Sequence, residues 1–224
     1  MHNNSTKESL QTRINDFIQK NRKVIFIIVG VIVFASAGII VALTLSEASN
    51  KKSIMEVEEF SRRYDELRYV MSDEESSSDV EKLLGDLEAF AKGKSGFAGG
   101  KAWSIVAQIH KEKNDWAQIE NAWLNAAKAS EKTYLGPVSY FNAAIAAEEQ
   151  GKYTQAIELF EKCISLPVEF PQGPRAQFSI GRLHEKVENY PAAIEAYRQV
   201  FIKWPNIAAW VDLAHSRIIA IESL

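Results

Sequence analysis

The segment from Val24 to Leu45 constrains this chain most strongly, because its twenty-two residues include no charged side chain. At about 1.5 Å of rise per residue, a helix of this length is roughly 33 Å long, enough to cross a bilayer core of about 30 Å. A core helix of a soluble domain would carry a polar stripe, and this segment has none. The sequence therefore predicts one transmembrane helix over residues 24–45.

The basic residues around this span predict its orientation. Two follow it closely, Lys51 and Lys52, whereas five precede it: Lys7, Arg13, Lys20, Arg22 and Lys23. Because positive charge is retained on the cytoplasmic side, we expect a single pass through the inner membrane, with the N-terminus in the cytoplasm and the C-terminal domain in the periplasm. In an organism with a single membrane the domain would lie outside the cell. A cleaved signal peptide is the alternative, but the apolar run is longer than a signal usually has, which favours an uncleaved anchor.

The lead before the span, residues 1–23, has a helical pattern of its own. Residues 5–8 match a capping box, and Leu10, Ile14, Phe17 and Ile18 then recur at helical spacing. This predicts a short amphipathic helix on the cytoplasmic face of the membrane. A frayed tail is the alternative.

Composition limits what the rest of the chain can be. The formal net charge is −3, and no basic stripe is present, so nucleic acid is not an expected partner. Cys163 is the only cysteine, so an internal disulfide is excluded and stability must come from packing. Beyond the span, Ala, Glu, Lys and Leu outnumber Val, Ile and Thr, which favours a helical domain.

Three aromatic residues begin the second helix of a predicted helix pair at constant spacing. Trp116, Tyr153 and Tyr190 lie 37 residues apart, and similar apolar patterns follow each of them. A period of this length is typical of solenoids of paired helices, in which neighbouring units complete each other's core.

The packing positions of these pairs agree with the tetratricopeptide pattern, in which small residues let two helices approach and aromatic residues fill the space beside them. Ile119 is an exception, since it stands where alanine is usual. The repeat-defining residues are Trp103, Ala107, Trp116, Trp123, Tyr140, Ala144, Gly151, Tyr153, Ala156, Phe160, Gly181, Tyr190, Ala193, Tyr197 and Pro205. We therefore predict an all-α chain with a single N-terminal transmembrane helix followed by a tetratricopeptide-repeat α-solenoid.

The predicted organisation has five parts. The lead (1–23) and the span (24–45) are followed by a helical connector or degenerate repeat (46–97), three tetratricopeptide units (98–205) and a C-terminal capping helix (206–224). Within the connector, helices over Ser53–Met71 and Ser78–Ala91 are expected to flank a polar loop at residues 72–77. The capping helix is expected to cover the core that the last unit would otherwise expose.

The sequence offers no convincing group for catalysis or metal binding. Gly93-Lys94-Ser95 resembles part of a phosphate-binding loop, but Glu88 stands where that loop needs glycine. His110 and His184 share one repeat position, and neither has a partner at ligand spacing. Cys163 falls at a small-residue packing position, which favours an inert thiol. We expect no enzymatic activity, no metal and no cofactor.

A protein-binding surface is the remaining expectation. First helices of such units line the concave side of the solenoid, where the inward residues are Ser104, Gln108, Phe141, Ile145, Phe178 and Arg182. Phe141 and Phe178 occupy equivalent positions and would form an apolar strip for a peptide or helix, with Arg182 and Arg175 binding a carboxylate at its end. The alternative is that both phenylalanines pack between units.

The whole layout resembles the YfgM-like ancillary subunits of the bacterial Sec translocon. The similarity covers a lead that reads Arg13-Ile14-Asn15-Asp16-Phe17-Ile18-Gln19-Lys20-Asn21, one span and a small tetratricopeptide domain. The resemblance implies a periplasmic domain that associates with the SecYEG channel and a membrane-anchored chaperone and helps newly exported proteins.

Two hypotheses about function follow. The first is an adaptor that holds a periplasmic chaperone or nascent chains beside the translocon. The second is a scaffold for envelope assembly or cell division, in which the chain forms a homo-oligomer. Gly38 and Ala42 form a small-xxx-small pair in the span, which is a weak indication of self-association.

Overall fold

The computed structural model describes residues 4–69 and 74–224, and within these ranges it is all-helical, as the sequence predicts. The described helices are α1 (Asn4–Tyr69), α2 (Glu74–Lys92), α3 (Gly96–Glu112), α4 (Trp116–Ser130), α5 (Leu135–Glu149), α6 (Tyr153–Ser165), α7 (Gly173–Lys186), α8 (Tyr190–Lys203) and α9 (Ala208–Glu222). The chain divides into two compact units, one that ends at Lys52 and one that begins at Ser53.

The first of these units consists of the N-terminal part of α1. This helix is long and apolar enough to cross a membrane, and none of its most apolar stretch is buried. It runs from Asn4 through the predicted span without interruption, so the described part of the lead is helical and continuous with the span. The reason lies in the sequence, since no glycine or proline precedes Gly30 to break the helix.

The second unit begins with the C-terminal part of α1 and with α2. Val57 and Tyr64 on α1 are buried against Leu83 and Leu87 on α2, in one core cluster with residues of α3. The predicted polar loop is wrong from Glu74 onward, because α2 already begins there. The rest of that loop, at residues 72 and 73, lies outside the described residues.

Three helix pairs follow, α3–α4, α5–α6 and α7–α8, and each helix packs on the next. The turn within each pair has the same geometry. Asn114, Gly151 and Glu188 take positive φ angles of 54°, 72° and 58° at positions 37 residues apart. The next residue then donates its backbone N–H to a carbonyl five residues earlier, at 3.2, 3.0 and 2.9 Å. This bond is the signature of a Schellman ending, which calls for a left-handed residue and favours glycine.

The close-contact positions of the first helices lie in the core. Ala107 and Ala144 are at most 1% exposed. Gly181 lies so close to α8 that a Cβ atom placed on it would come within 2.6 Å of the ring of Tyr197. Small residues here allow the two helices of a pair to approach, as the repeat pattern requires. Helix α9 then closes the last pair by burying Ala214 and Ile218 against α8.

Candidate protein-binding groove

The first helix of each pair carries the residues predicted to line the concave surface, and the structure separates them into two groups. Four of them already pack against or hydrogen-bond to other residues of the protein: Ser104, Phe141, Phe178 and Arg182. Gln108 and Ile145 line a cavity open to solvent.

Phe141 does not form part of an exposed strip, and its burial agrees with the alternative that it packs inside the solenoid. Its side chain is 4% exposed and packs edge-on against Phe160 at a centroid distance of 5.3 Å. Phe170, from the segment after α6, covers the same ring at 5.6 Å. The guanidinium of Arg175 lies 5.2 Å from the ring centroid. Ser104 is likewise buried, and its hydroxyl donates to the backbone oxygen of Lys101 at 2.7 Å.

Phe178 and Arg182 are also engaged by neighbouring residues. The Phe178 ring is half-buried between Tyr197, at 5.0 Å, and Trp210 on α9, at 5.5 Å. Arg182 forms a bidentate pair with Glu148 of the preceding unit, at 2.5 and 2.7 Å. This hydrogen bonding raises the pKa of Arg182. Because its guanidinium is already paired, Arg182 is not a free anchor for a ligand carboxylate.

A second pair of the same kind joins the last unit to α9. Arg217 donates to both carboxylate oxygens of Glu185, at 2.7 and 3.2 Å. The Tyr197 hydroxyl donates to the same carboxylate at 2.7 Å, and burial together with this bond raises the pKa of Tyr197. Glu148 and Glu185 occupy equivalent repeat positions. The concave surface, or inner face, from α5 to α9 therefore carries two charge pairs, one between the second and third units and one between the third unit and α9.

The inner face between the first and second units is different, because it contains a cavity of about 250 Å³. We call it the open groove. It lies between α3, α4 and α5, and its walls are apolar and aromatic apart from two amides and one lysine. The lining residues are Ala107, Gln108, Lys111, Trp116, Ile119, Trp123, Asn142, Ile145 and Ala146.

A larger cavity, of about 540 Å³, adjoins the open groove on the side of α1. The two cavities share Gln108, Lys111 and Trp116. Tyr64 and Arg68 of α1 form the far wall of the larger one. The open surface therefore extends across the first helices of the first two units and onto the last turns of α1.

Lys111, Trp116 and Asn142 were not among the concave residues predicted from the sequence. The repeat period contains the relevant signal, since Lys111 is equivalent to Glu148 and Glu185 and so breaks a row of acidic residues. The repeat pattern predicts only a packing role for Trp116, yet its half-buried side chain lines both cavities.

The chemistry of these surfaces supports binding. The thiol of Cys163 is 1% exposed, and burial raises its pKa to about 12, so it is protonated and unreactive. Within residues 4–69 and 74–224, no three His, Cys, Asp or Glu side chains are grouped so as to hold a metal ion. The open groove instead combines a concave apolar surface with a few polar groups, the usual composition of a ligand site.

Comparison with known proteins agrees with the helix pairs. The tetratricopeptide-repeat family profile matches residues 141–207. A protein of Treponema pallidum (strain Nichols), described as a TPR repeat-containing protein, is 31% identical over 231 aligned positions, which cover 94% of this chain and 93% of that protein. A crystal structure of MamA protein aligns with 60% of this chain and 71% of its own, at 19% identity and a TM-score of 0.46.

The family profile confirms the predicted repeat class for the second and third helix pairs, and the Treponema relative extends the similarity over nearly the whole chain. No catalytic family is indicated, and proteins of this class are typically interaction scaffolds. The chain therefore belongs to the tetratricopeptide-repeat proteins.

Proposed function

We propose that this protein is a membrane-anchored adaptor whose domain from Ser53 onward lies on the periplasmic face and assists the export or folding of envelope proteins near the Sec translocon. The observation that carries the proposal is the open groove. It is a concave surface of the kind that binds peptides, on a chain whose first helix can cross a membrane. The excess of basic residues before the span supports the orientation.

The test combines topology with capture of neighbours in living cells. A photo-crosslinking amino acid is placed at Ile145, in the open groove, and at Phe141 as a buried control. Protease is added to spheroplasts of the same strain. We expect digestion of the domain, together with crosslinks from position 145 to translocon, chaperone or exported proteins and none from position 141. Protection from protease would place the domain in the cytoplasm and refute the export role.

One observation favours a second function, a scaffold that works through self-association. Leu213 and Ile219 on α9 are 47% and 61% exposed, although the surface of a solenoid cap is expected to be polar. Native mass spectrometry of the full chain in mild detergent distinguishes the two functions. A dimer that becomes a monomer in the Leu213→Lys variant, with groove crosslinks only to a second copy, would favour the scaffold over the adaptor.

A further inference from the structure

We propose that the open groove recognises acidic peptide segments, in which a carboxylate pairs with Lys111 while a neighbouring apolar side chain contacts Ile145 and Trp123. This inference rests on the proposed protein-binding function of the groove and names the chemistry of its partner.

The first argument is the charge of the groove. Lys111 is the single charged residue among those that line the smaller cavity. Its side chain is exposed and has no ionic or hydrogen-bond partner within residues 4–69 and 74–224. A lysine at the edge of an apolar, aromatic surface attracts negative charge, and that surface shields the pair from water better than an open helix face does.

The second argument comes from the repeat itself. Between the second and third units, Glu148 on one first helix pairs with Arg182 on the next. The equivalent positions between the first and second units, one repeat period earlier, hold Lys111 and Ile145. The sign of the charge is reversed, and the partner is replaced by an apolar side chain. The carboxylate that the later junction contains is therefore missing from this one, and a ligand can supply it.

The third argument is the balance of hydrogen-bond donors and acceptors. Lysine and the indole N–H of tryptophan only donate, and the side chains of Lys111 and Trp116 have no acceptor among the described residues. Gln108 lines both cavities and has no side-chain partner there either. The Asn142 amide donates to the carbonyl of Val138 at 2.8 Å, which leaves its second N–H available. An excess of unused donors suits carboxylates and backbone carbonyls.

The adjoining cavity does not cancel this charge. Its acidic residue, Glu112, lies 3.6 Å from Arg68, which lines the same cavity. The two charges offset each other, so Lys111 sets the net sign of both cavities. The overall acidity of the chain makes this local positive site more selective, because acidic segments are repelled elsewhere on the surface.

The test measures fluorescence anisotropy of a labelled peptide in which glutamates flank a leucine, titrated with the full chain in mild detergent. A second peptide carries glutamine in place of each glutamate. We expect the glutamate peptide to bind about tenfold more tightly, and the preference to weaken as salt is added. Lys111→Glu should weaken its binding by about tenfold or more. Lys128→Glu, which makes the same charge change on an exposed residue of α4 outside the groove, should leave it within about twofold.

Equal binding of the two peptides, or an unchanged affinity in the Lys111→Glu variant, would overturn the inference. Lys111→Met keeps an apolar stem in place, so retained binding by this variant would also contradict a role for the charge. The protein-binding function is judged separately by the crosslinks from position 145. If those crosslinks appear while the glutamate preference is absent, the groove binds proteins of another chemistry, and only the acidic class is refuted.

Discussion

The close approach of α7 and α8 predicts that one added methyl group will destabilise the domain. In the Gly181→Ala variant the new Cβ would lie 2.6, 2.7 and 2.9 Å from three carbon atoms of the Tyr197 ring. That ring is 0% exposed, and its hydroxyl is held by Glu185 at 2.7 Å. Phe178 packs against it at a centroid distance of 5.0 Å. The ring therefore has no free direction in which to move.

The size of the effect follows from comparison with a second glycine. Gly85, inside α2, is exposed, and a Cβ atom added to it would meet no neighbouring atom within 4 Å. Replacing a mid-helix glycine with alanine stabilises a helix by about 0.5–1 kcal/mol, and this gain is common to both sites. Overpacking of a core costs about 1–3 kcal/mol. Because the helix term cancels, the free energies of unfolding of Gly181→Ala and Gly85→Ala should differ by about 1–3 kcal/mol.

Tryptophan fluorescence is a suitable measurement, because all five tryptophans lie after Ser53 and report on that unit alone. At about 2–4 °C per kcal/mol, the melting temperatures of the two full-length variants in mild detergent should differ by roughly 2–12 °C. Gly85→Ala should melt above the parent protein. The reasoning fails if Gly181→Ala is as stable as Gly85→Ala, since Tyr197 would then have room to yield.

Three further predictions concern the same unit. Glu120 is 6% exposed and accepts hydrogen bonds from Gln150, Lys152 and Gln155 of the next unit, at 2.6 to 2.9 Å, so Glu120→Ala should lower the free energy of unfolding in urea by about 1–3 kcal/mol. Glu188 has a φ of 58°, so Glu188→Gly should raise the melting temperature by relieving about 1 kcal/mol of backbone strain, and an unchanged or lower value would contradict this. Burial and the bond to Glu185 raise the pKa of Tyr197 above 10.0, so the unfolded chain loses this proton first, and stability should fall above pH 10. Urea titrations of a Tyr197→Phe variant should show a smaller fall.

The sequence predicted the helix pairs because their signal is local and periodic. Small residues such as Ala144 and Gly181, spaced 37 apart, already specify where two helices approach, and nothing distant is needed to read them. The uncharged run after Val24 is similarly self-contained. The division of the chain at residues 1–23, 46–97 and 206–224 remains a prediction.

The concave surface was predicted less well because its state depends on segments outside the repeat pattern. Phe141 packs against Phe160 of its own unit and also against Phe170, which belongs to the irregular segment between α6 and α7 and has no counterpart fixed by the period. Arg182 is neutralised by Glu148, 34 residues earlier on a different helix. A repeat alignment places Phe141 and Arg182 on the concave surface, but it does not show which distant side chains contact them.

The structure also separates the residues proposed to bind a partner from the residues that hold the first two units together. The Glu120 network joins α4 to the α5–α6 turn and α6, and none of Gln108, Lys111 and Ile145 takes part in it. Arg182 differs, because it serves an internal pair between units. Because the Arg182 side chain is 45% exposed, water screens this pair, and the pair contributes little to holding the units together. The Glu120 network holds the first and second units together away from the concave surface. The concave surface at this junction can therefore lack a charge pair, and the open groove lies there.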